Sequence, residues 1–170
     1  GDIRSYKKDL VDLYVNRDQH SFSTQVTDLD NIQNPSIHSL LSSKYHEAQM
    51  HRLNIHAEIP DPVIHNYLTD LDLAVVLGHL MDNAIDGARK ASEGFISLAY
   101  FDEEDCQSFI IESTIAEEQV PLSMMSTQLS HPEGGIGVNA VQDILERYPN
   151  TSFSVRSQNH KMMQILEMRP

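Results

Sequence analysis

The chain has 170 residues, 40% of them apolar, and a formal net charge of −13, enough for one folded domain with a sizeable core and a short appended element. That charge argues against nucleic acid or an anionic membrane surface as partner, so an anionic substrate needs a local site of backbone N–H groups, a metal ion or a few basic side chains. The single cysteine, Cys106, excludes an internal disulfide and a thiolate zinc cluster and fits a reducing compartment, and no apolar run approaches the roughly 18 residues of a membrane span.

In chain order, Ile3, Tyr6, Leu10 and Leu13 recur at 3-4-3 spacing in a charged background, as in the seam of a helical bundle or in an ordinary amphipathic helix. Val26, Leu29 and Ile32 keep helical spacing through a polar stretch, and Pro35-Ser36 marks the boundary expected between an N-terminal segment, 1–34, and a main domain, 35–170. Ser36 is the expected N-cap of a helix to about residue 52, through Ile37, Leu40, Leu41, Tyr45 and Ala48. Leu53, Ile55, Ala57 and Ile59 alternate with polar residues as in a half-buried strand, which Pro60-Asp61-Pro62 stops.

Thr69 or Asp70 opens a second helix to about residue 91, with Leu73, Val76, Leu77, Leu80, Met81, Ala84, Ile85 and Ala88 as its buried stripe. Strands over 95–101 and 107–113 flank an acidic turn at 102–105. An irregular stretch from 114 to about 134 exceeds ordinary loop lengths and reads as a lid. It ends in Gly134-Gly135-Ile136-Gly137, which feeds a helix with Gly137, Ala140, Val141, Ile144, Leu145 and Tyr148 on its buried face. Strands over 152–156 and 162–168 close the chain around Gln158-Asn159. This order predicts an α/β fold, a mixed sheet covered on one face by helices.

His79, Asn83 and Asp86 stand at i, i+4 and i+7, a second, polar stripe on the second helix. An Asn there is either a solvent-facing residue or one that has found a partner, because a buried amide without one is costly. Its oxygen is a suitable Mg²⁺ ligand. The glycine run presents free N–H groups and the positive end of a helix dipole, which suits phosphate; alone it is equally a permissive turn, and it lacks the lysine and hydroxyl of a P-loop.

Taken together, Asp82-Asn83-Ala84-Ile85-Asp86 resembles the N box of the GHKL superfamily of ATPases (gyrase-type topoisomerases, heat-shock-90 chaperones, histidine kinases and MutL). Residues 134–141 resemble the later glycine box of histidine kinases. Ala48-Gln49-Met50, the strand Leu53-Asn54-Ile55-His56-Ala57-Glu58-Ile59-Pro60 and Ser126-Thr127 ahead of the glycines are similar to the agr/com-type peptide-pheromone receptor kinases of Gram-positive bacteria. The resemblance, over roughly 30–168, implies a Bergerat α/β sandwich that binds ATP and Mg²⁺ between the N-box helix and a mobile lid. It implies Asn83 as the Mg²⁺ ligand, with Asp86, Ser113, Gly135 and Gly137 at the nucleotide and His79 beside Asn83 in a catalytic position.

His79 stands where histidine kinases usually carry another Asn, either as a tolerated replacement or as a group able to accept a proton near neutral pH. The early glycine box is absent, and Ile111-Glu112-Ser113-Thr114 occupies the place where pheromone-receptor kinases carry an Asn; Gln128 replaces a lid lysine of some relatives. None of the nine histidines stands in a phosphoacceptor context. The resemblance places that histidine upstream of Gly1, the segment 1–34 containing part of the second helix of a dimerising hairpin. The implied protein is a sensor histidine kinase of a quorum-sensing two-component system, a cytoplasmic domain tethered to the membrane only through upstream segments. A response regulator is its protein partner, and it forms a homodimer through the N-terminal helix. The alternative is a degenerate GHKL domain serving as a dimerisation or interaction module.

Overall fold

The computed structural model describes residues 28–119 and 137–170, with backbone alone for 137–140. Its elements are α1 (Pro35–Met50), β1 (Asn54–Glu58), α2 (Asp70–Lys90), β2 (Phe95–Glu103), β3 (Cys106–Thr114), α3 (Gly137–Glu146), β4 (Thr151–Gln158) and β5 (Lys161–Met168). The strands form one mixed sheet in the order β1-β2-β3-β5-β4. β1 and β2 are parallel, which requires a crossover, and α2 supplies it. All other pairings are antiparallel.

Period-two alternation sorts the strand residues between the two faces. Ile55, Ala57, Ile96, Leu98, Tyr100, Phe109, Ile111, Leu166 and Met168 join the core beneath the helices. Ala99 and Ile110 lie on the other face, packed by Phe101, Met163 and Ile165. The expected α/β sandwich, a mixed sheet with helices on one face, is the observed fold. The expected N-terminal bundle helix and most of the lid, including Ser126, Thr127, Gln128, Gly134 and Gly135, lie outside the described residues.

α1 begins two residues earlier than Ser36 capping predicts. Asn34 is the N-cap, its Oδ1 accepting from Ser36 N and Ile37 N at 3.0 and 3.2 Å, and Pro35 occupies the first turn. Proline needs no N–H partner there, so the cap shifts to the residue before it. The helix ends with Arg52 at φ 60 and Leu53 N donating to Ala48 O at 3.0 Å, a Schellman-type closure. Ile37, Leu41, Tyr45 and Ala48 are its buried face. Tyr45 Oη donates to Ile55 O at 3.1 Å, fastening α1 to β1, and burial helped by the charge of Asp28 pushes its phenol up to about 12.

The packed unit reaches back to Asp28. Leu29 and Ile32 are buried, Asn31 Nδ2 donates to Ile59 O at 2.6 Å, and Ile32 bridges Val63 in parallel. At the far end the β4–β5 turn is Asn159-His160, not Gln158-Asn159, because Gln158 pairs with Lys161. A two-residue hairpin loop needs positive φ at both positions, and these two have φ of 52 and 60. His160 is held there by its backbone N–H to Glu118 O at 3.0 Å, its carbonyl accepting from Ile115 N at 2.9 Å, and its ring Nδ1 3.1 Å from Ala116 O.

Thr69 caps α2, as expected, through Oγ1 accepting from Asp72 N at 3.2 Å. Leu73, Val76, Leu77, Leu80, Met81, Ala84, Ile85 and Ala88 are all buried, and each large member contributes roughly 1.5–3 kcal/mol by leaving water. Asp72, buried near the helix start, accepts from Tyr148 Oη at 2.6 Å and Arg147 Nη2 at 2.9 Å. The residues that follow α3 are thereby locked to the N-terminus of α2.

These contacts, Tyr148 foremost and Arg147 after it, outweigh burial and hold the Asp72 carboxyl below the usual carboxylate range. A depressed folded-state pKa contributes stability that is present above the unfolded value and is lost as pH falls through the folded one. Tyr148→Phe is therefore expected to cost about 1.5–3 kcal/mol near neutral pH, the range for a hydrogen bond to a charged group. In urea melts the gap between variant and wild type should close as pH falls below about 4.

Candidate functional site

The composite 82–86 lies in the second half of α2, and its polar members have separate tasks. Asp82 turns to α1, where Lys44 Nζ lies 2.6 Å from its Oδ1. Burial alone would lower the Lys44 pKa, but the hydrogen bond and charge of Asp82, assisted by Glu47, carry it above the ordinary lysine value. Asn83 turns to the sheet, its Nδ2 donating to Gln164 Oε1 of β5 at 3.2 Å. Its Oδ1 accepts nothing among the described residues.

His79, Asn83 and Asp86 are each half-buried, the shared stripe that the spacing predicts, and His79 and Asp86 both have interaction partners. One turn beyond Asn83, Gly87 lets α2 come down on the end of β3. A Cβ there would meet Ile115 Cγ2 at 3.0 Å, Thr114 O at 3.4 Å and Ser113 Oγ at 3.7 Å. Ser113 sits beneath this point, fully buried, its Oγ without a hydrogen-bond partner among the described residues. A buried hydroxyl with no partner is an unmet demand that water or a ligand can satisfy.

Gly137 is the first residue of α3, which packs against α2. The N-terminus of α3 therefore belongs to the same helical layer as Asn83, with its first N–H groups unused within the helix. Thus α2 and the end of β3 bring Asn83, through Gly87 one turn on, close to Ser113, and Gly137 opens the helix packed beside α2, whereas Gly135 lies outside the described residues. Among the described residues no group of three or more His, Cys, Asp or Glu is arranged to hold a metal ion. No helix among them is long and apolar enough to cross a membrane.

Sequence reasoning missed Gln164, Lys44 and Gly87. Gln164 had a visible signal, a polar residue in the alternation Met162, Gln164, Leu166, Met168 where the other three are buried and apolar. Lys44 had none, since its partner is 38 residues away.

Ser113→Ala deletes a buried hydroxyl that gains nothing in the ligand-free protein. The variant is expected to be at least as stable as wild type, by up to about 1 kcal/mol, whereas a hydrogen-bonded serine would cost about that much on removal. Urea denaturation without ligand gives the sign.

The GHKL domain family matches the chain over residues 68–169. No curated protein sequence matches it. The nucleotide-free catalytic domain of histidine kinase ThkA superimposes with a TM-score of 0.64 at 13% identity, covering 81% of this chain and 91% of that one. The same kinase in complex with response regulator protein TrrA gives 0.59 at 14% identity, over 81% of this chain and 40% of the other. Acinetobacter baumannii histidine kinase AdeS gives 0.58 at 17% identity, over 99% of this chain and 85% of the other. At such identities the likeness is one of fold, that of histidine kinase catalytic domains. With the family match spanning α2 and every strand except β1, this chain belongs to the GHKL domain family.

Proposed function

We propose that this chain is the ATP-binding catalytic part of a sensor histidine kinase, transferring the γ-phosphoryl group of ATP to a histidine outside these 170 residues. The observation that carries the reading is Asn83: an N-box amide held from one side by β5, with its oxygen left without a donor. A neutral amide oxygen suits Mg²⁺, which takes oxygen ligands and draws the rest of its shell from waters and phosphates. When bound, the ion neutralises charge on the phosphates. Ser113, with its unpartnered buried hydroxyl, supplies a polar contact for the base end of the nucleotide. The first N–H groups of α3, from Gly137 onward, and Gly135 before it serve the phosphates. Asp86 and His79 flank Asn83 on the same helix; His79 supplies a group that can hold or pass a proton near neutral pH. The chain's share of the catalysis is positioning and preorganised charge.

The wider assignment rests on Ala48-Gln49-Met50, residues 53–60 and the composite 82–86, which are similar to the agr/com-type pheromone receptor kinases. On that likeness, residues 1–34 form part of the second dimerisation helix and a linker whose last residues pack on the catalytic unit, 35–170. The protein is then a homodimeric receptor of a Gram-positive quorum-sensing two-component system, anchored in the membrane by upstream segments, with this part in the cytoplasm. Its phosphoryl group passes on to a response regulator, a partner supported by the complex in which the similar kinase ThkA was solved.

Calorimetric titration with Mg·ATP, on wild type and on Asn83→Ala, tests the central claim. Wild type should bind and gain thermal stability, about 2.7 kcal/mol at a ligand concentration near 100 times Kd. Asn83→Ala should lose most of the gain that Mg²⁺ brings while keeping affinity in EDTA. Neither heat nor a melting shift in wild type would instead mark a degenerate GHKL domain acting as an interaction module.

A further inference from the structure

We infer that Gln164 is the positioning residue for Asn83, fixing which end of its amide faces the nucleotide site; this rests on the ATP·Mg²⁺ reading above. Gln164 lies on β5 with 1% of its surface exposed. Its neighbours along the same face, Met162 and Leu166, are buried and apolar, and Ile111 and Val155 flank it across the sheet. An apolar side chain would fill this place with no desolvation cost. The glutamine instead commits both ends to α2: Nε2 donates to Leu80 O at 3.0 Å and Oε1 accepts from Asn83 Nδ2 at 3.2 Å.

The order of these contacts settles both amides. Leu80 O is an acceptor only, so the NH₂ end of Gln164 must face it; a reversed amide would set two oxygens against each other. Gln164 Oε1 then faces Asn83 and requires the NH₂ end of that residue. Asn83 Oδ1 is left on the opposite side, free of donors among the described residues. Within α2 the Leu80 carbonyl already serves the helix as the acceptor of residue 84, so the backbone does not need Gln164 for its own satisfaction. What the glutamine adds is orientation. Without it, the Asn83 amide can rotate and present its NH₂ group, which repels a cation. Asn83 would touch the ion, and Gln164 would act only through Asn83, as outer partners of metal ligands do.

The test measures ATP affinity in EDTA and in excess Mg²⁺ for wild type, Asn83→Ala and Gln164→Leu. Gln164→Leu should reduce the Mg²⁺-dependent gain in affinity about tenfold, the lower end for an outer-partner substitution, and leave the EDTA affinity unchanged. A merely structural role would weaken both conditions alike. A full Mg²⁺ gain in Gln164→Leu, with the gain lost in Asn83→Ala, overturns the inference and leaves the ATP reading standing. Absence of any Mg²⁺ gain in wild type overturns both. Should the leucine variant not fold, the unmutated protein decides by nuclear magnetic resonance. The side-chain NH₂ signals of Asn83 and Gln164 should exchange slowly and show a mutual Overhauser contact, and fast exchange at Asn83 rejects the proposal.

Discussion

A 21-residue helix with a polar composite in its second half can stay packed only if each polar group is met where the packing leaves it. In α2 they are met from distant parts of the chain. Lys44 comes from α1 to Asp82, Gln164 from β5 to Asn83, and Arg147 and Tyr148 from the end of α3 to Asp72. Apolar burial is non-directional and sets how deeply the helix sits on the sheet. Hydrogen bonds have narrow geometry and set its rotation about its own axis. Rotation also decides which way the half-buried stripe of His79, Asn83 and Asp86 faces. Gly87 completes the placement by letting the helix meet the end of β3 without a side chain between them.

Much of this was legible in the residues. The stripe from Leu73 to Ala88 announced a helix buried on one side, and the alternation at Leu53, Ile55, Ala57 and Ile59 announced a strand; every one of these residues is buried, though β1 itself spans only Asn54–Glu58. The composite 82–86 is the residue pattern on which the proposed site rests, because five residues in a row restrict chemistry more than any one does. Capping and turn details were less legible. Pro35 moved the N-cap to Asn34, and the demand for two positive φ angles moved the last turn to Asn159-His160. Pairings across long separations were not legible at all. A lysine on one helix carries no mark of an aspartate 38 positions on, and only topology brings Gln164 beneath Leu80 and Asn83, 84 and 81 residues away.

The fold likeness to histidine kinase domains comes at 13–17% identity, so the sheet and its helical cover tolerate nearly complete replacement of side chains. Packing of this kind needs volume and pattern more than particular residues. Two arrangements in this chain are of another kind: a buried serine whose hydroxyl has no partner among the described residues, and an amide held by a buried glutamine. Both are arrangements that packing alone would discard.

The sheet order has a consequence for how the molecule is made. β5 is the last strand in sequence, yet it lies inside the sheet, between β3 and β4. During synthesis β1, β2 and β3 can associate as they emerge, with α2 laid over them. β4 then has no edge to join until β5 follows, since it pairs with β5 alone. The ribosome must therefore release almost the whole domain before the sheet closes and Gln164 reaches α2. Until that moment Asn83 lacks its Gln164 partner, so the contact between α2 and β5 forms only in the final step of folding.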